Sequence, residues 1–155
     1  MKIAMPESEP NWRQIVLLSV SIIFLLGVCG TGHASEHLQL FATEGCSLFP
    51  DGTTEHETLW RLCCVIHDVA YWRGGTYDER LEADRALQRC VEERGESEIA
   101  RLMYSGVRVG GTPYSPTPFR WGFGWPYPRG YKALTEEERE QVENLAPDQD
   151  SLQDM

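Results

Sequence analysis

Two neighbouring cysteines, Cys63 and Cys64, constrain this chain more than any other feature. A disulfide between adjacent residues is strained, because the bond prefers α-carbons roughly 5.5 to 6 Å apart. Each of the two is therefore expected to reach a separate partner. The other cysteines are Cys29, Cys46 and Cys90. Cys29 falls in a leader-like stretch; without it, Cys46, Cys63, Cys64 and Cys90 form the even set expected of a small exported domain that needs covalent staples. On these grounds two pairings stay open.

The leader is an uncharged apolar run from Ile15 to Val28, preceded by Arg13 and followed by Gly30-Thr31-Gly32-His33-Ala34. This is the layout of a secretory signal peptide cut before Ser35. Extended from Ile15 to Ala34, the same stretch approaches the ~20 residues that a spanning helix needs, so an uncleaved membrane anchor competes with cleavage. Leu26-Gly27-Val28-Cys29 also faintly resembles a lipoprotein cleavage box. All three readings put the domain outside the cytoplasm, periplasmic or secreted, and divide the chain into a leader or anchor (1–34), a folded domain (35–131) and an acidic C-terminal tail (132–155).

The chain carries a formal charge of -10, and residues 1–34 hold two basic and two acidic side chains, so their removal leaves that balance unchanged. Such a charge argues against a nucleic-acid partner, which demands a basic face, and against adhesion to anionic lipid by charge alone. Much of the acid lies in Glu136-Glu137-Glu138 and in Asp148, Asp150 and Asp154, read as a solvated tail.

Residues 35–58 read as loop, with Pro50-Asp51-Gly52 as a turn. From Leu59 to Trp72, Leu59, Leu62/Cys63, Ile66/His67 and Ala70/Tyr71 keep a helical period that Gly74-Gly75 ends. Thr76-Tyr77-Asp78-Glu79 is a capping box, predicting a helix to about Arg94. On that helix Tyr77, Leu81, Asp84, Leu87 and Val91 share one stripe, with Arg80, Glu82, Arg85 and Arg89 at its edges or opposite. A carboxylate within an apolar stripe is costly unless hydrogen-bonded, so Asp84 asks for a partner on the facing helix. A shorter helix is predicted from Glu96 to Tyr104, and Thr135 caps a last acidic one through about Gln141. Between them, residues 105–131 are rich in Gly, Pro and aromatics. Phe119, Trp121, Phe123, Trp125 and Tyr127 alternate there, so an extended segment would put five rings on one face, as core over the helix pair or as an interfacial patch.

Cys63, His67 and Tyr71 recur at spacing four and share a helical face, while Asp68 points about 100 degrees from His67. One residue can therefore handle a proton while the other holds a cation. Histidine suits general-base work near neutral pH, Asp84 can accept from its far nitrogen, and Tyr71 can donate to the same carboxylate. Zinc held by Cys63, Cys64 and His67 is disfavoured by the ligand spacing. Arg108 and Arg129 are read as solvated rather than as phosphate contacts.

Cys63-Cys64-x-x-His67-Asp68-x-x-Tyr71 resembles the active-site helix of secreted phospholipases A2, and Ala83 to Val91, with six residues from Asp84 to Cys90, resembles their second long helix. Thr43 to Asp51 is similar to the calcium-loop region of the short bacterial and fungal members. The resemblance spans residues 43–91. It implies a mainly α fold of two antiparallel, disulfide-linked helices, followed here by the irregular Gly/Pro/aromatic-rich segment, with disulfides Cys46–Cys64 and Cys63–Cys90. It implies that His67 is the catalytic base, Asp84 its orienting acid and Tyr71 the support of Asp84. Calcium would be bound by Asp68, by the Glu44 carboxylate and by the Gly45 carbonyl, and the reaction would be hydrolysis of the sn-2 ester of a phospholipid at a membrane surface. The glycine-rich calcium loop of the animal enzymes is absent, and Glu44 is one methylene longer than the aspartate of the bacterial type. A reading from another class is a non-catalytic envelope module that binds a lipid or protein partner through its aromatic segment.

Overall fold

The computed structural model describes residues 37–154, so the expected leader and Cys29 lie outside the described residues. Glu36–Met155 form one compact unit. It is mainly helical: α1 (Arg61–Arg73), α2 (Tyr77–Glu92), α3 (Ser97–Gly110), α4 (Glu136–Leu145) and α5 (Gln149–Asp154), with no strand among the described residues. None of these helices is long and apolar enough to cross a membrane.

The chain enters α1 from the Pro50-Asp51-Gly52 turn, where the Trp60 indole N–H donates to the Pro50 carbonyl at 2.7 Å. Gly74, at φ 69° and ψ -162°, ends the helix in a backbone conformation open almost only to glycine. α2 starts on the expected capping box: Glu79 N–H donates to the Thr76 hydroxyl (3.2 Å) and Thr76 N–H to the Glu79 carboxylate (2.7 Å). The Cys63–Cys90 disulfide joins the start of α1 to the end of α2, whose other ends meet across residues 74–76, so the two helices are antiparallel. Cys46–Cys64 ties the preceding loop to α1. Around these bonds lies one core cluster, including Trp60, Leu87, Val91, Ala100 and Met103.

α3 is longer than the predicted Glu96 to Tyr104. Its glycines, Gly106 and Gly110, each cost only about 1 kcal/mol in a helix, and the inward side chains, Ala100, Met103 and Val107, keep packing past that point.

Residues 119–125 run in turns rather than as an extended segment. Gly122 takes φ 73°, and the buried Arg120 donates to the carbonyls of Gly122 and Trp125, which curls the chain around its guanidinium. Trp121 and Trp125 still become core, at 0% and 1% exposure. Their indole N–H groups donate to Gly75 O and Arg73 O at 2.8 and 2.7 Å, the pairing that burial of an indole requires. Trp125, Trp72 and Leu38 form a second core, against which Leu134, Val142 and Leu145 pack. That packing carries α4 beyond the expected Gln141.

Two solvation expectations are corrected here. Arg129, whose side chain is 1% exposed, lies over the Trp125 ring at 4.3 Å and grips Glu138 with two hydrogen bonds of 3.0 and 2.9 Å. Glu138 is itself buried rather than part of a wholly solvated tail, because Arg129, Lys132 and the Thr135 N–H together satisfy its carboxylate. Burial pushes the Glu138 carboxyl up, but these donors outweigh it and hold the group at about 2. The contribution is therefore complete above its unfolded value near 4.5 and is lost as pH falls through about 2. Thermal melts between pH 5 and pH 2 should drop more steeply for the native chain than for Glu138→Gln; equal slopes would contradict the assignment.

Candidate active site

His67 and Tyr71, one turn apart on α1, face Asp84 on α2. His67 Nε2 lies 2.9 Å from Asp84 Oδ1, and the Tyr71 hydroxyl donates to the same oxygen at 2.7 Å. Asp84 is 0% exposed and His67 7%. An ionised carboxylate only accepts, so Nε2 carries a proton, and in the neutral imidazole Nδ1 is the nitrogen with the lone pair.

Two arginines that the sequence reading left outside the site complete it. Arg108 Nη1, from α3, donates to Asp84 Oδ2 at 2.6 Å, and Arg80 Nε lies 3.8 Å from that oxygen. Arg80 is almost fully buried; it donates to the Tyr71 hydroxyl at 3.0 Å, to the carbonyls of Val107 and Arg108 at 2.8 and 2.9 Å, and to the Tyr131 hydroxyl. Burial pushes the Asp84 carboxyl up, but hydrogen bonds from His67, Arg108 and Tyr71 prevail and hold it below the usual carboxylate range. Burial and the Asp84 charge push the Tyr71 phenol well up, so it stays a donor. Arg80 was legible in part, standing four residues before Asp84 on one helix. Arg108, read as solvated, is corrected here: it is bound to Asp84 with its side chain 18% exposed, and the predicted third helix stopped before it.

His67 and Asp68 line a cavity of about 330 Å³ whose other walls are largely apolar, with Phe49, Leu87, Leu102, Met103, Val107 and Phe119. Asp68 is partly buried, and burial raises its carboxyl above the usual range against the hydrogen bond from Thr43, whose hydroxyl donates to Oδ2 at 2.7 Å. Gly45, at φ 85°, also lines the cavity. A side chain there would collide with the Asp51 carboxylate and the Arg61 guanidinium, which form an ion pair. Arg61 also donates to the Glu44 carbonyl at 3.2 Å, and Asp51 accepts from Cys46 N–H at 2.7 Å. The loop is thus held by the chain's own cation.

Asp68, a carboxylate compensated by one hydroxyl, and the Gly45 backbone, which lines the same cavity, could offer oxygens to a cation of the calcium type. Glu44 has an exposed side chain. Among the described residues no three His, Cys, Asp or Glu side chains cluster to hold a metal, so most ligands would be backbone and water oxygens.

Compared with known protein families, with curated proteins and with solved structures, the chain matches none.

Proposed function

We propose that this chain is an exported, calcium-assisted lipid ester hydrolase of the phospholipase A2 type. The single observation that carries the reading is the 2.9 Å contact between His67 Nε2 and Asp84 Oδ1 at the polar end of an apolar cavity. The disulfides Cys46–Cys64 and Cys63–Cys90 agree with the pairing that the resemblance implies, and they support export, since such bonds persist in oxidising compartments.

His67 Nδ1 takes a proton from water as the water attacks the ester carbonyl, and returns it to the departing alcohol. Asp84 keeps the imidazole in the tautomer with Nε2 protonated and stabilises the imidazolium once it forms. Tyr71 holds the carboxylate oxygen that His67 uses. Calcium, bound by Asp68 and the backbone near Gly45, would supply a Lewis acid for the ester carbonyl oxygen. The apolar walls accept an acyl chain, and Leu48 and Leu102, 91% and 59% exposed beside the cavity, offer a surface that wets poorly and suits an aggregated lipid.

The test is release of fatty acid from phospholipid in mixed micelles by the purified protein, with calcium and with chelator. Release should need calcium, and Asp68→Asn should raise the calcium concentration for half-maximal rate by about tenfold or more. No release from any phospholipid by the folded, calcium-supplied protein would instead favour the non-catalytic module.

A further inference from the structure

An acid orients an imidazole only if its own carboxylate cannot turn. The Asp84 carboxylate has two oxygens in different surroundings: Oδ1 serves His67 and Tyr71, and Oδ2 accepts from Arg108 Nη1 at 2.6 Å. Tyr71 cannot fix the rotation alone, because it shares the oxygen that His67 uses. Arg80 is too far from Oδ2 for a hydrogen bond, at 3.8 Å, and its donors are committed to Tyr71, Tyr131, Val107 and Arg108.

We infer that Arg108 is the positioning residue of the site: by clamping Asp84 Oδ2 from the third helix, it fixes the plane in which Oδ1 meets His67. The inference rests on the hydrolase reading for its kinetic arm only. Arg108 is well placed for the task because both its ends are held. Its Nη2 donates to the Tyr77 hydroxyl at 3.0 Å with the guanidinium 5.2 Å from that ring's centre, and its backbone carbonyl accepts from Arg80 at 2.9 Å. Without it, Oδ2 is buried with no hydrogen-bond donor among the described residues. The carboxylate then turns to find one, and Oδ1 leaves His67. The Arg108 side chain is 18% exposed, so the space it vacates is reachable from solvent by a small cation.

The experiment compares the full-length native protein with Arg108→Ala and Arg108→Lys. In Arg108→Ala, kcat should fall by about 100-fold with KM within about twofold, as expected when a catalytic group is misplaced but binding is untouched. Guanidinium chloride, well below denaturing concentration, should restore part of the loss, and Arg108→Lys should retain more activity than the alanine variant. Independently of hydrolysis, the proton on His67 Nε2 should give a downfield, slowly exchanging NMR signal in the native protein. That signal should vanish in Arg108→Ala and return with guanidinium. A native protein that hydrolyses no ester would remove the hydrolase reading and leave the proton signal to judge Arg108. Persistence of the signal in a folded Arg108→Ala overturns the inference, as does a loss in both variants that guanidinium leaves unrepaired.

Discussion

Replacing His67 by alanine should lower kcat for calcium-dependent fatty-acid release by about a thousandfold or more, within the range a general base supplies, while leaving the fold intact. The two outcomes separate because of how Asp84 is bound. Without the imidazole, the carboxylate still accepts from Tyr71 at 2.7 Å and from Arg108 at 2.6 Å, so the buried charge keeps its compensation. Both disulfides are untouched. Removing Asp84 would be different: Arg80 and Arg108 would then face each other without the anion between them, and the loss of a buried partner typically costs about 3 to 5 kcal/mol. Initial rates at saturating calcium, with a thermal melt as control, decide the point. A folded His67→Ala protein whose kcat stays within about tenfold of the native value would leave the imidazole without a chemical role.

The largest effect on stability should come from the pair Cys63→Ser with Cys90→Ser. The bond closes a span of 27 residues, for which the chain-entropy relation gives about 3 to 4 kcal/mol. For a unit of this size that corresponds to a fall in melting temperature on the order of 10 °C or more. The loss should also reach the chemistry before the domain melts, since Cys63 lies one turn from His67 and Cys90 is on the helix that carries Asp84. Chemical denaturation of the variant and the native protein measures the difference. A destabilisation below about 1 kcal/mol would mean that the helix pair is held by packing alone.

What could be read from the sequence was what local chemistry decides. The Thr76–Glu79 capping box needs only four consecutive residues, and both its bonds are present. Asp84 declared itself by standing in an apolar stripe, and its partners His67 and Tyr71 are where such a carboxylate would require them. The disulfide pairing followed the resemblance rather than the spacing. What stayed hidden depends on contacts between distant segments. The continuation of α3 through Gly106 to Gly110 is decided by packing, and with it went Arg108. The turns of residues 119–125 form around Arg120, whose carbonyl partners give no pattern in side-chain order. Arg129 and Glu138 look like ordinary surface charges until Trp125 supplies the ring over which the pair is buried. The hold of Arg61 on the Glu44 carbonyl and on Asp51 also lay outside any local pattern, since the two partners are 17 and 10 residues away.

If the proposed calcium is bound, the Arg61–Asp51 pair separates two events that metal-dependent domains often merge. A rim already shaped by a resident guanidinium has little left to order when an ion arrives, so occupancy and assembly become independent. On that proposal, chelation would silence the protein without loosening it, since the rim owes its shape to the resident pair and not to the ion.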